Sequence, residues 1–148
     1  MKTILAAIDF SVVTEGVVEQ AALMARAFGS ALYLLHVEAP EPSFVGYEPG
    51  PQHERDHVAR TIKENRHAIH EIRDSLKEQG LDAHGLVIQG PTVEKILEEA
   101  RRLDASLIVV GSHGHGALRN LILGSVSKGV VRDAPCPTIV VPSPKKPE

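Results

Sequence analysis

At 148 residues the chain has the length of one ordinary domain, and a content of 43% hydrophobic and 24% charged residues excludes a disordered or fibrous polypeptide. Sixteen Lys and Arg against nineteen Asp and Glu leave a formal charge of -3, which gives no long-range attraction for DNA or RNA. A single cysteine, Cys136, excludes an internal disulfide and fits a reducing, cytoplasmic setting.

The apolar run Thr3 to Ile8 meets Asp9 too early for a signal sequence or a membrane span, so no membrane insertion is expected. It reads instead as a strand buried on both faces of a parallel sheet. From Thr14 to Phe28, residues Val17, Val18, Ala21, Ala22, Met24, Ala25 and Phe28 recur at helical spacing, and Gly29 supplies a C-cap. Ala31 to Val37 is a second buried strand, so the opening forty residues form a βαβ unit. His36, inside that strand, reads as a hydrogen-bonded core histidine.

Glu38 to Gln52, with Pro40, Pro42, Pro49 and Pro51, resists regular structure and reads as a long surface loop free to act as a lid. Asp56 to Gln79 is a charged helix with one narrow apolar stripe of Val58, Ile62, Ile69, Ile72 and Leu76, closed by Gly80. Leu86 to Gln89 is a short third strand. Thr92 is the candidate N-cap of a helix whose stripe is Val93, Ile96, Leu97, Ala100 and Leu103. Ser106 to Val110 is the fourth strand, Ser125 to Arg132 a helix and Thr138 to Val141 the last strand. Five strands alternating with helices predict a single domain over 1–148, an α/β doubly wound parallel five-stranded sheet with helices on both faces.

In such sheets ligands sit beyond the carboxyl ends of the strands, where strand order reverses. Asp9, Val37 and Gly111 lie at such ends. After the fourth strand, Gly111, Gly114, Gly116 and Gly124 fall within fifteen residues, a density that lets successive backbone amides approach an anion. Gly124-Ser125 opens a helix whose first amides and dipole favour phosphate, with Ser125 and Ser127 adding hydroxyls. The bland alternative is that Ser125 is an N-cap and the glycines are turn residues.

The spacing Gly111-x2-Gly114-x9-Gly124-Ser125 resembles the ATP-binding signature of the nucleotide-binding branch of the universal stress protein family. The resemblance extends over essentially the whole chain, including Asp9, the LLHV segment Leu34 to Val37 and the APCPTIVV segment Ala134 to Val141. It implies a Rossmann-like fold and an adenine nucleotide, ATP or AMP or ADP, accompanied by Mg2+. It implies an adenine contact from the Val37 backbone and ribose or metal contacts near Asp9 and Gly111, with Ala7 a further nucleotide-binding residue. Phosphate contacts are implied from Ser112, His113, Gly114, Gly124, Ser125 and Val126. It also implies a homodimer joined through Thr138 to Val141, whose apolar residues suit a sheet edge. Gly90-Pro91 is a minor departure from the family pattern.

Other motifs carry less. His53-Glu54-Arg55-Asp56-His57 spells H-E-x-x-H, but two charged middle positions, a helix only beginning and no evident third ligand favour a solvated helix start over zinc. Gly114-His115-Gly116 lacks the third glycine of a dinucleotide fingerprint, where Arg119 stands. No P-loop lysine string exists, so rapid hydrolysis is not expected and no catalytic residue is assigned. The expected function is a regulatory nucleotide-binding module of the stress response. The alternatives are a slow ATPase or phosphoryl-transfer enzyme, and a nucleotide-free dimeric interaction protein.

Overall fold

The computed structural model describes residues 1–39, 52–113 and 123–144. Among them strand and helix alternate as β1 (Thr3–Ala7), α1 (Thr14–Phe28), β2 (Ala31–Glu38), α2 (Gln52–Glu78), β3 (Ala83–Gln89), α3 (Thr92–Arg102), β4 (Leu107–Gly111), α4 (Ser125–Asp133) and β5 (Thr138–Val141). All strand pairs are parallel, in the order β3-β2-β1-β4-β5. This is the expected Rossmann-like α/β sheet.

The strands are near-continuously apolar because both faces are covered. Alternate residues therefore feed two cores. Ile4, Ala6, Leu32, Leu34 and Val109 pack with Val17, Ala21 and Ala25 of α1 and Ile69 of α2. Leu5, Leu35, Ile108 and Val110 pack on the other face with Ile96 and Leu97 of α3 and Val130 of α4. Right-handed crossovers produce this division: the chain moves outward from β1 to β3 over one face, then returns past β1 over the other. Cys136 belongs to the second core, and its burial pushes the thiol up, away from a reactive thiolate.

Several boundaries differ from the sequence reading for local reasons. Helix α1 has the expected limits and ends on Gly29 at φ 61, but Phe28, expected at the end of the buried stripe, is 53% exposed. Helix α2 begins directly after Pro51, four residues earlier than expected, so Glu38 and Gln52 close the flanking elements; residues 40–51 of the expected lid lie outside the described residues. Strand β3 starts at Ala83 because His84 stacks on Tyr33, with ring centroids 4.4 Å apart, and Gly85 lies against Ile69. Thr92 is the first residue of α3 rather than its cap; Pro91 holds the cap position in an extended conformation and no side chain bonds there. No helix among the described residues is long and apolar enough to cross a membrane.

Candidate functional site

Strand order reverses between β1 and β4, so the crevice between their carboxyl ends is where a doubly wound sheet takes its ligand. Ala6 pairs with Val109, and Asp9 and Ser112 each stand three residues further along. Two segments therefore enter one crevice: the β1–α1 turn and the glycine-rich loop.

The turn is built by Asp9, whose Oδ1 accepts the Ser11 amide at 2.9 Å. Such an Asx turn mimics a backbone turn and aims the chain into the helix. Phe10 adopts φ 60, a left-handed conformation that costs a bulky residue about 1–3 kcal/mol and persists only when its surroundings hold it. Val13 then packs against β4 so tightly that a Cβ on Gly111 would lie 2.4 Å from Val13 Cγ1. Gly111 is thus required by the close approach of the turn.

The glycine-rich loop leaves β4 at Ser112 and rejoins the described chain at Leu123. Its two ends are tied together. The Gly124 amide donates to the Ser112 carbonyl at 2.6 Å, and the Ser127 hydroxyl donates to the same oxygen at 3.0 Å, which occupies both of its lone pairs. Ser127 Oγ also lies 3.0 Å from the Gly124 carbonyl. The Ser112 amide bonds the Val141 carbonyl at 2.8 Å, and Ser112 Oγ accepts the Ser143 amide at 3.2 Å and lies 3.1 Å from His113 Nδ1. A Cβ on Gly124 would come within 3.2 Å of the Ser112 oxygen, so glycine allows the loop's ends to meet.

Helix α4 starts from this knot. Gly124 is its cap residue, with no side-chain bond, and Lys128 is the first residue to bond back to it. The amides of Ser125, Val126 and Ser127 consequently have no partner within the helix, and the positive end of the helix dipole lies at this same end of α4. Ser125 and Val126 are exposed there. Ser127, expected from the sequence to add a hydroxyl to the phosphate site, is 2% exposed and buried on the same side as Val130, and its hydroxyl ties the loop base.

Gly111, Ser112, Gly124, Ser125 and Val126 are therefore gathered at the end of β4, with Asp9 across the crevice; His113 follows Ser112 at the loop mouth. Ala7 and Val37, at the ends of β1 and β2, pack against the α3–α4 core. Gly114, His115, Gly116 and Arg119 lie outside the described residues. Gly90 closes β3 at φ 149, and its amide bonds the Glu38 carbonyl at 2.9 Å while Lys95 packs over it. The H-E-x-x-H string lies within the start of α2, where His57 and Asp56 are exposed.

Sequence reasoning missed Val13, which explains Gly111, and Asn65, which joins a partly buried cluster around His36. His36 is hydrogen-bonded as expected: Nδ1 lies 2.8 Å from the Ile8 carbonyl and Nε2 3.0 Å from Glu38 Oε1. Asn65 of α2 donates to the same Glu38 oxygen. No local sequence signal joins residues so far apart.

Sheet order, crossovers and the open helix end at the switch point define a doubly wound α/β protein of the Rossmann-like kind. The model of the universal stress protein family matches residues 1–142. The chain belongs to the universal stress protein family. A universal stress protein of Thermus aquaticus is 34% identical over 142 residues, covering 95% of this chain and 98% of its own. A solved structure of a Methanocaldococcus jannaschii protein matches with a TM-score of 0.79 and 26% identity over 98% of both chains. A universal stress family protein of Arabidopsis thaliana, solved with AMP bound, shares the fold at a TM-score of 0.69 and 19% identity, covering 97% of this chain and 93% of its own.

Proposed function

We propose that this chain binds an adenine nucleotide, ATP or its mono- or diphosphate, and acts as a regulatory module rather than a fast enzyme. The observation that carries this is the tied base of the glycine-rich loop, which holds the exposed Ser125 and Val126, whose amides have no partner within the helix, at the positive end of α4. Those amides receive phosphate oxygens. Ser112 and His113 continue the cradle, Gly114 is carried over from the sequence motif as a further phosphate contact, and Gly124 leaves room that a side chain would fill. The backbone of Val37 meets the adenine, while Ala7, Asp9 and Gly111 line the ribose. Ser127 acts from beneath, by fixing the Ser112 carbonyl.

The donor set fits Mg2+ as a companion of the phosphates: this ion is commonly held by one or two carboxylates together with phosphate oxygens, and Asp9 supplies a carboxylate in the crevice. The Arabidopsis thaliana protein with AMP bound supports the adenine nucleotide as a ligand that this fold accommodates. Strand β5 is a terminal strand of the sheet, and Thr138–Val141 are half-buried. Among the described residues β5 is the margin of the sheet, and a marginal strand invites pairing with a second copy, so a homodimer, in the reducing cytoplasmic setting that the lone cysteine suits, is the assembly we favour.

Calorimetric titration with ATP, AMP and NAD tests the ligand. Saturable binding of ATP or AMP and none of NAD is expected; a preference for NAD, or no binding of any of the three, refutes the assignment. ATP turnover measured alongside should stay at background, and a rate abolished by Asp9→Ala would assign an enzyme instead.

A further inference from the structure

His36 is buried at 8% exposure, and the proposed nucleotide contacts make no use of its side chain. A carbonyl oxygen only accepts, so the contact with Ile8 requires that Nδ1 carry a hydrogen. On its other side the ring meets Glu38 Oε1 at 3.0 Å, and Asn65 Nδ2 stands 3.4 Å from Nε2 while donating to that same carboxylate oxygen. The Phe10 ring tilts against the imidazole at 53°, with centroids 4.8 Å apart. Ile8 and Phe10 flank Asp9 in the chain. Asp9 is therefore bracketed by two residues that both anchor on His36.

The far end of this cluster is on α2. Ile69 and Leu76 fix the second half of that helix in the core, whereas Val58 and Ile62, in its first half, are only half-buried. Asn65, at the middle of α2 where that first half ends, makes a polar attachment to the end of β2 through His36 and Glu38. The left-handed backbone of Phe10 gives the bracket something to hold, because a strained turn relaxes when its support is withdrawn.

We propose that His36 and Asn65 are positioning residues: Asn65 seats the His36–Glu38 pair, the pair fixes Ile8 and Phe10 around Asp9, and the seating of α2 is thereby coupled to nucleotide binding. This rests on the reading that Asp9 lines the nucleotide site. Coupling is reciprocal, so whatever factor the seated helix adds to nucleotide affinity, the nucleotide returns to the seating of the helix.

The test combines ATP calorimetry with amide hydrogen exchange of α2, on the full chain and on Asn65→Ala, Asn65→Asp and the exposed control Lys63→Ala. Alanine is the best helix former, so Asn65→Ala keeps α2. Expected for Asn65→Ala is a loss of ATP affinity of about fivefold, the lower end of ordinary coupling factors, with a larger loss for Asn65→Asp, whose carboxylate opposes Glu38. In the parent chain ATP should slow exchange over residues 55–68; that slowing should vanish in both Asn65 variants and survive in Lys63→Ala. If the parent binds ATP and Asn65→Ala binds it equally well, the coupling is overturned and the nucleotide reading stands, even where exchange without ligand is faster. A parent chain that binds no adenine nucleotide overturns both.

Discussion

Ser125→Asp is expected to leave the fold as stable as before, or slightly more so, while weakening ATP binding by about a hundredfold or more. The two effects have opposite signs because one field acts on two different charges. A carboxylate in the first turn of a helix complements the dipole and stabilises by roughly 0.3–1 kcal/mol. Ser125 is the first residue of α4 and is exposed, so no packing opposes the new group. The same carboxylate occupies the place proposed for phosphate oxygens. Like charges about 4 Å apart repel by about 4 kcal/mol at the effective dielectric of a protein surface, and salt screening leaves enough for about a hundredfold, which corresponds to about 2.8 kcal/mol. Thermal melts and calorimetry on the same preparation check both halves. Unchanged affinity would move the phosphates away from α4; lost affinity with a lost fold would count against the exposed placement of Ser125.

Gly111→Ala is expected to destabilise the fold by about 1–3 kcal/mol, the usual cost of overpacking a filled site, through the clash with Val13 Cγ1. Val13 is β-branched and stiff at χ1, so it has little room to turn aside. Val13→Ala removes the obstacle, and the double variant Val13→Ala/Gly111→Ala should be more stable than the sum of the single effects allows, by about 1–2 kcal/mol. Denaturant melts of the four proteins measure this coupling. Strict additivity would mean that Gly111 is glycine for another reason, such as direct ligand approach.

The sheet was legible because strands covered on both faces are apolar without interruption, as in Leu32 to Leu35 and Leu107 to Val110. The limits of α1 were legible because Gly29 closes it in the left-handed conformation that glycine favours. The beginning of β3 was hidden, since His84 and Gly85 are poor strand signals until Tyr33 and Ile69 are known to lie against them. The glycine-rich segment was visible as a density of residues, but density does not separate causes. Gly111 answers to Val13 and Gly124 to the Ser112 carbonyl, both long-range contacts. Ser127 had a usable signal that was overlooked: it stands three residues before Val130, on the buried side of α4, while Val126 is exposed. The link from His36 to Asn65 has no periodicity to betray it, because it joins a strand to the middle of a helix across an intervening segment.

The backbone amides at the start of α4 report phosphate directly through their NMR resonances during titration of isotope-labelled protein with ATP. The Ser125 and Val126 amides should move furthest and saturate together, and they should stay still when adenosine without phosphate is added. Binding of ATP that leaves these two resonances unmoved while shifting others would contradict a phosphate site built on the open end of this helix.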